Sequence, residues 1–348
     1  MGAGNLLALV ARVQSFRMKN TAPLQLTASA GAGDVQLLMG SFHADLAQRV
    51  GQLQLQGGSA HLNWLLDACA CTLSTHSALA SALKNAHATP PANQRADEML
   101  SLLDACTSLK QMADDVDRQL GSLQAALIQS ARGLQASRAA GRLAAARRLR
   151  PCLDGLQSLS SAQYRPIKEA QAALLLAAKR ELLAPASNCR RDPAAQTLHH
   201  ALDGTLLISL LVLASAIATF APPLKSSSGA VRSACKIVAS SCKSGSSLAT
   251  VTMWGGPLWQ LQRDLKQEDM SALFFELQGL HSAAASIYAT VSGPAHADQA
   301  TTADLRQRID SMHKRSQEAR ACVTALRSQL ASLFQALVAL RLSLLALP

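Results

Sequence analysis

Along most of this chain, apolar residues recur alternately four and three positions apart, the spacing that gathers them on one face of an α-helix. The first sustained run covers 61–86, with Leu62, Leu66, Cys69, Leu73, His76, Ala80 and Leu83 in register. His76 on that seam reads as a core histidine held by a partner rather than as a ligand. The next run is longer: Met99, Leu102, Cys106, Leu109, Ala113, Val116, Leu120, Leu123, Leu127, Ser130 and Leu134. It either continues into an arginine-rich stretch or bends near Gly133 or Gly141. A shorter helix is expected over 151–161 and another over 167–183. Met270, Leu273, Leu277, Leu280, Ala284, Ile287 and Val291 make a further seam, ended by Ser292-Gly293-Pro294. The last seam is the most regular: Leu305, Ile309, Met312, Ser316, Ala319, Val323, Leu326, Leu330, Leu333, Leu337, Leu340 and Leu344. At 1.5 Å per residue it predicts a rod roughly 60 Å long. Strand-like alternation is absent beyond a few residues, and short loops carrying Pro and Gly separate the runs. The expected fold is all-α, an elongated antiparallel bundle in which the final rod packs on helices of its own chain.

One segment departs from this pattern. Residues 204–224 (GTLLISLLVLASAIATFAPPL) carry no charge. Their core, 205–221, makes roughly 26 Å of helix against a hydrocarbon thickness of about 30 Å. Leu206, Leu207, Ile208, Leu210, Leu211, Val212, Leu213, Ile217 and Phe220 favour insertion by roughly 3–5 kcal/mol, partly offset by the hydroxyl residues. Thr205, Ser209, Ser215 and Thr219 project within about 120° of one another, leaving one small polar face for a neighbouring helix. A membrane-embedded helix and the central helix of a soluble bundle both fit this description, with the membrane reading preferred.

Composition agrees with the helical reading: 49% of residues are hydrophobic but only 3% aromatic. The net charge of +11 is uneven. From 256 to 348, nine basic and eight acidic residues nearly cancel. From Arg118 to Leu153 there are seven arginines and no acid, with Arg138, Arg142, Arg147, Arg148 and Arg150 as the expected basic surface. The scarcity of aromatic side chains argues against nucleic acid as the partner and leaves anionic lipid or an acidic protein face.

The eight cysteines have neither disulfide-framework nor zinc-site spacing. On a helix, Cys69 and Cys71 point about 200° apart, which rules out a shared metal. Reduced thiols and a cytosol-facing location follow. Cys235-Lys236 and Cys242-Lys243 stand seven residues apart beside the apolar segment and are candidate lipidation sites. The basic, acid-poor start of the chain reads as a disordered tail or as an organelle transit peptide. No phosphate-binding loop, nucleophile elbow or metal-binding helix motif is present, so no catalytic, cofactor or metal residues are assigned, and the chain is expected to be non-enzymatic.

The expected division is a basic N-terminus (1–40), an N-terminal bundle (41–184), a linker (185–203), the apolar helix (204–224), a Ser-rich basic linker (225–252) and a C-terminal helical part completing the bundle (253–348). The order of these parts resembles the plant BYPASS-related, or ROH-like, proteins. The resemblance is carried by LNWLLDACACTLSTHSAL (62–79), ADEMLSLLDACTSLKQMADDVDRQLGSLQAAL (96–127), the basic run at 146–150 and MWGGPLWQLQRDL (253–265). It implies a membrane- or plastid-associated adaptor that restrains a root-derived growth-arresting signal, or one that binds an exocyst subunit in secretion. The competing expectation is a soluble or secreted coiled-coil protein whose apolar helix inserts into a target membrane.

Overall fold

A computed structural model of the chain is described over residues 32–53, 61–86, 92–136, 138–159, 161, 164–183, 193–221, 227–241, 253–267, 270–293 and 300–345. Among these residues there are ten helices and no strand: α1 (Ala32–Gln52), α2 (His61–Ala86), α3 (Ala92–Ala136), α4 (Arg138–Leu159), α5 (Arg165–Leu183), α6 (Pro193–Phe220), α7 (Ser227–Ser241), α8 (Gly255–Gln267), α9 (Ala272–Ser292) and α10 (Ala300–Leu345). They form a single helical bundle with one continuous core.

The apolar segment is the axis of that bundle. Every position from 200 to 221 is buried. Around α6 lie α1, α2, α3, α5, α7, α8 and α9. The four hydroxyls of the apolar segment donate within the helix: Thr205, Ser209, Ser215 and Thr219 bond to the carbonyls of Ala201, Thr205, Leu211 and Ser215, respectively. Back-bonding of this kind lets a polar residue sit in an apolar core without an external partner. Of the two readings of the segment, the structure adopts the central helix of a bundle. Thr205, Leu206, Leu207, Ile208, Leu210, Leu211, Val212, Leu213, Ile217 and Phe220 all face protein rather than an outer surface. Among the described residues, two helices are long and apolar enough to cross a membrane, Thr197–Phe220 and Ala303–Leu345, and of these only the first is enclosed by the rest of the chain.

The two longest helices, α3 and α10, lie antiparallel as the second axis. Cys106 Sγ donates to the Leu330 carbonyl, whereas further along α3 Asp117 meets Arg320. All twelve expected seam positions of α10, Leu305 to Leu344, are buried against helices of the same chain. Beside the seam, Arg320 Nε donates to Asp117 Oδ1 at 2.7 Å, and Arg327 bridges Asp114 and Asp117 at 3.3 and 3.4 Å. The Arg320 guanidinium holds the Asp117 carboxyl below the usual carboxylate range. These half-exposed pairs fix the register more than they add stability.

Four boundaries differ from those read in the sequence. Helix α1 begins at Ala32, inside the stretch expected to be disordered, because Met39, Phe42, Leu46 and Val50 supply it with a buried face. Helix α6 begins at Pro193 and absorbs much of the expected linker. Proline suits a first helical position because its missing N–H would have no partner there. Helix α7 replaces half of the expected Ser-rich linker, since Ala234, Cys235, Ile237 and Val238 share one buried face. Helix α4 runs through Pro151 instead of starting there. Burial of Ala145, Ala146 and Leu149 just upstream outweighs a helix-interior proline that costs about 3 kcal/mol. The segment 1–31, residues 222–224, Lys225, Cys242 and Lys243 lie outside the described residues.

Gly204 shows how tightly α6 is clasped. A Cβ at this position would stand 2.8 and 2.9 Å from the Trp254 ring and 3.2 Å from Leu46 Cδ2. Trp254 is itself fully buried, so the ring has nowhere to move. Gly204→Ala is therefore expected to destabilise the fold by about 1–3 kcal/mol through overpacking, although alanine is the better helix former. The check is the urea midpoint of the variant; an unchanged or raised midpoint would show that the ring yields.

Candidate functional site

Helix α4 carries the arginines of the expected basic surface, and the structure divides them by role. Its inner face is Ala145, Ala146, Leu149, Cys152 and Leu156, buried against the bundle, where α3 and α9 are its main neighbours. Arg142 is half-buried and its Nη2 donates to the carbonyls of Thr290 and Gly293 at 2.6 and 3.4 Å. A guanidinium there satisfies end carbonyls of α9 and complements the negative end of that helix. Arg142 is a structural clamp rather than part of a free basic face. Arg147, Arg148 and Arg150 are exposed, and the side chain of Arg138 lies outside the described residues.

The exposed arginines do not share one face. Positions 143, 147 and 150 are spaced four and three apart and align, whereas 148 is turned about 100° from 147. Leu143, Arg147 and Arg150 line a groove of about 400 Å³, together with Arg142, Ala146, Tyr288, Val291, Ser292 and Gly293. No carboxylate is among these lining residues. Leu143 is 56% exposed, an aliphatic floor beside two cations. Such a site can take a carboxylate-bearing, partly apolar segment, with the arginines supplying forked donors and Leu143 the apolar contact.

The candidate lipidation pair fares differently. Cys235 is buried, its Sγ bonded to the Gln262 carbonyl at 3.5 Å, and burial pushes its thiol up to about 11. A buried, protonated thiol is not a substrate for acylation, so Cys235 is a packing residue. Cys69 and Cys71 are both buried, and burial raises both thiols.

Two buried histidine sites adjoin α6. His76 Nε2 lies 2.7 Å from Ser209 Oγ, joining α2 to the middle of α6. Near the start of α6, His199 Nδ1 sits 3.0 Å from Asp203 Oδ2, and His200 lies beside them. Sequence reasoning misses this second group because the composition of 185–203 reads as a linker. Once α6 is extended back to Pro193, the His-His-x-x-Asp spacing at 199–203 brings the three side chains together on the helix.

No protein-family model, curated protein or solved structure matches the chain.

His76 gives the core a definite acid response. Burial lowers its pKa from 6.5 to about 4. Between those two values the unfolded chain binds the proton and the folded chain does not. The stability it contributes is therefore fully present above about pH 6.5 and is lost as pH falls through the window towards 4, by up to about 3 kcal/mol. Burial pushes His43 and His200 in the same direction. Urea midpoints measured from pH 7 down to about pH 4 should fall, and His76→Gln, which retains a donor for Ser209, should flatten the slope. An equally steep profile in that variant would place the acid sensitivity elsewhere.

Proposed function

We propose that this chain is a non-enzymatic helical adaptor whose working surface is the α4–α9 groove, and that the groove takes an acidic segment of a partner protein. The observation that carries the reading is the alignment of Arg147, Arg150 and exposed Leu143 over a groove of about 400 Å³ with no carboxylate in its lining. Burial of charge-free helix elsewhere leaves this face as a concentrated positive field on a chain of net charge +11. Such a field accelerates the encounter with acidic partners and selects among them. The resemblance to BYPASS-related proteins adds the narrower proposal of a cytosol-facing, membrane-associated plant protein that acts in restraint of a root-derived signal or in exocyst-linked secretion. An acidic segment of an exocyst subunit is then the first partner to try.

A fluorescent peptide alternating Asp or Glu with Leu should bind the full-length chain, and more weakly as salt rises, because the screening length shortens from about 10 Å at 0.1 M towards 3 Å at 1 M. Arg147→Glu with Arg150→Glu should weaken binding roughly tenfold or more. Arg148→Glu, on another side of the helix, should change it little. Equal losses in both variants, or salt-independent binding, would remove the groove as the determinant.

A second reading is insertion of α6 into a membrane, favoured by the 24-residue apolar stretch Thr197–Phe220. It requires the surrounding helices to open, since every position of α6 from 200 to 220 is buried. On the adaptor reading, alkaline carbonate should release the chain from membranes of expressing cells. Retention in the pellet would favour insertion.

A further inference from the structure

We infer that His199, His200 and Asp203 form a binding site for a divalent transition-metal ion of the zinc class at the start of the enclosed part of α6. One ligand atom from each of the three residues lies within 4.8 Å of the others. Two imidazoles and a carboxylate are the donor set that suits zinc and its neighbours in the first transition row, rather than magnesium or calcium.

The second observation is His200 itself. It is only 7% exposed, and neither ring nitrogen has a hydrogen-bond partner. A buried imidazole ordinarily finds at least one. Here one of its nitrogens lies within 4.8 Å of a carboxylate oxygen of Asp203, a residue only 5% exposed, and of a His199 nitrogen.

Geometry supports closure around an ion. Tetrahedral zinc with bonds of about 2.0–2.1 Å holds its ligand atoms about 3.4 Å apart. The His199 Nδ1–Asp203 Oδ2 separation is 3.0 Å, so one edge of the tetrahedron is near that length and side-chain rotation has to bring in only His200. His199 is the most exposed of the three, with 16% of its side chain open to solvent, which gives an entry path and a position for a water ligand.

His43 is not a ligand. Its Nδ1 accepts from Trp254 Nε1 at 3.0 Å, and it makes a second hydrogen bond to the backbone of Thr197. It is a positioning residue that ties α1 and α8 to the turn of α6 just before the three ligands. Metal binding would clamp this junction and leave the α4–α9 groove untouched.

The test uses the metal-stripped full-length chain and zinc ion alone, followed by calorimetry and by the thermal midpoint. One high-affinity equivalent should bind and raise the midpoint with zinc concentration. Cobalt(II) should give the visible bands of a four-coordinate site. His200→Ala should weaken this equivalent by more than about a hundredfold, beyond the 10–100-fold typical of lost supporting contacts. Circular dichroism checks its folding, and His199→Gln, at the solvent-facing edge, serves if that variant does not fold. Absence of a saturable equivalent in the wild-type chain overturns the inference. So does wild-type affinity in the folded variants, which would assign the binding to other histidines.

Discussion

The rest of the structure depends on the enclosure of α6. An ordinary bundle helix buries one stripe and leaves the opposite side to water. From 200 onward, α6 has no side that can face water: all positions from 200 to 221 are buried. Each large aliphatic side chain removed from solvent contributes about 1.5–3 kcal/mol, and any gap in the surrounding shell forfeits some of that. A complete shell requires more helices than the long seams alone provide. This accounts for the presence of α1 and of the short helices α7 and α8, which pack on α6 and would have little reason to be helical alone. Trp254 against Gly204 shows the same demand at atomic scale, because an indole lies directly on the helix backbone where a side chain would otherwise stand.

The second axis answers a different demand. Helices α3 and α10 are amphipathic rods whose apolar stripes are regular enough to pair over most of their length, with polar sides left outward. Their ion pairs, Asp114 and Asp117 with Arg320 and Arg327, lie beside the seam and select one antiparallel register over slips that would break them. The basic face on α4 follows from the same packing. That helix meets the bundle through small residues and leucines, so its long cations are displaced to the outside, and one of them, Arg142, is drawn back to close the end of α9.

The seams were legible from the sequence because a period of 3.5 sustained over several turns arises from little besides a helical packing face. The α10 rod is buried at each position the spacing marked, from Leu305 to Leu344. Helix α1 was hidden even though Met39, Phe42, Leu46 and Val50 carry nearly the same spacing: the basic, acid-poor residues before it set the reading of the whole terminus. Helix α7 was hidden by its serines, which lower helix propensity but do not forbid a helix when one face is covered. At the site level, the sequence marked Arg138, Arg142, Arg147, Arg148 and Arg150 as one basic surface, but which of them share a face depends on how α4 packs, and the loss of Arg142 to a helix cap depends on where α9 ends. That is a tertiary fact with no local signature. The histidine group was lost for a simpler reason, an element boundary placed eleven residues too late, at 204 rather than 193.

The membrane question shows where sequence reasoning runs out in principle. Hydropathy measures the free energy of leaving water and is almost indifferent to whether lipid or protein receives the helix. The four hydroxyls do not decide it either, since back-bonding to the preceding turn would satisfy them in both surroundings. What distinguishes the two cases is the rest of the chain: a protein-enclosed helix needs enough complementary apolar surface elsewhere to surround it. This chain has that surface, dispersed among Leu- and Ala-rich faces of seven other helices, and the structure commits it to α6. The polar start of the same helix supports this arrangement. Buried groups such as His200 and Asp203 would be costly at the edge of a hydrocarbon layer, whereas here the Asp203 carboxylate is met by His199 within the same helix.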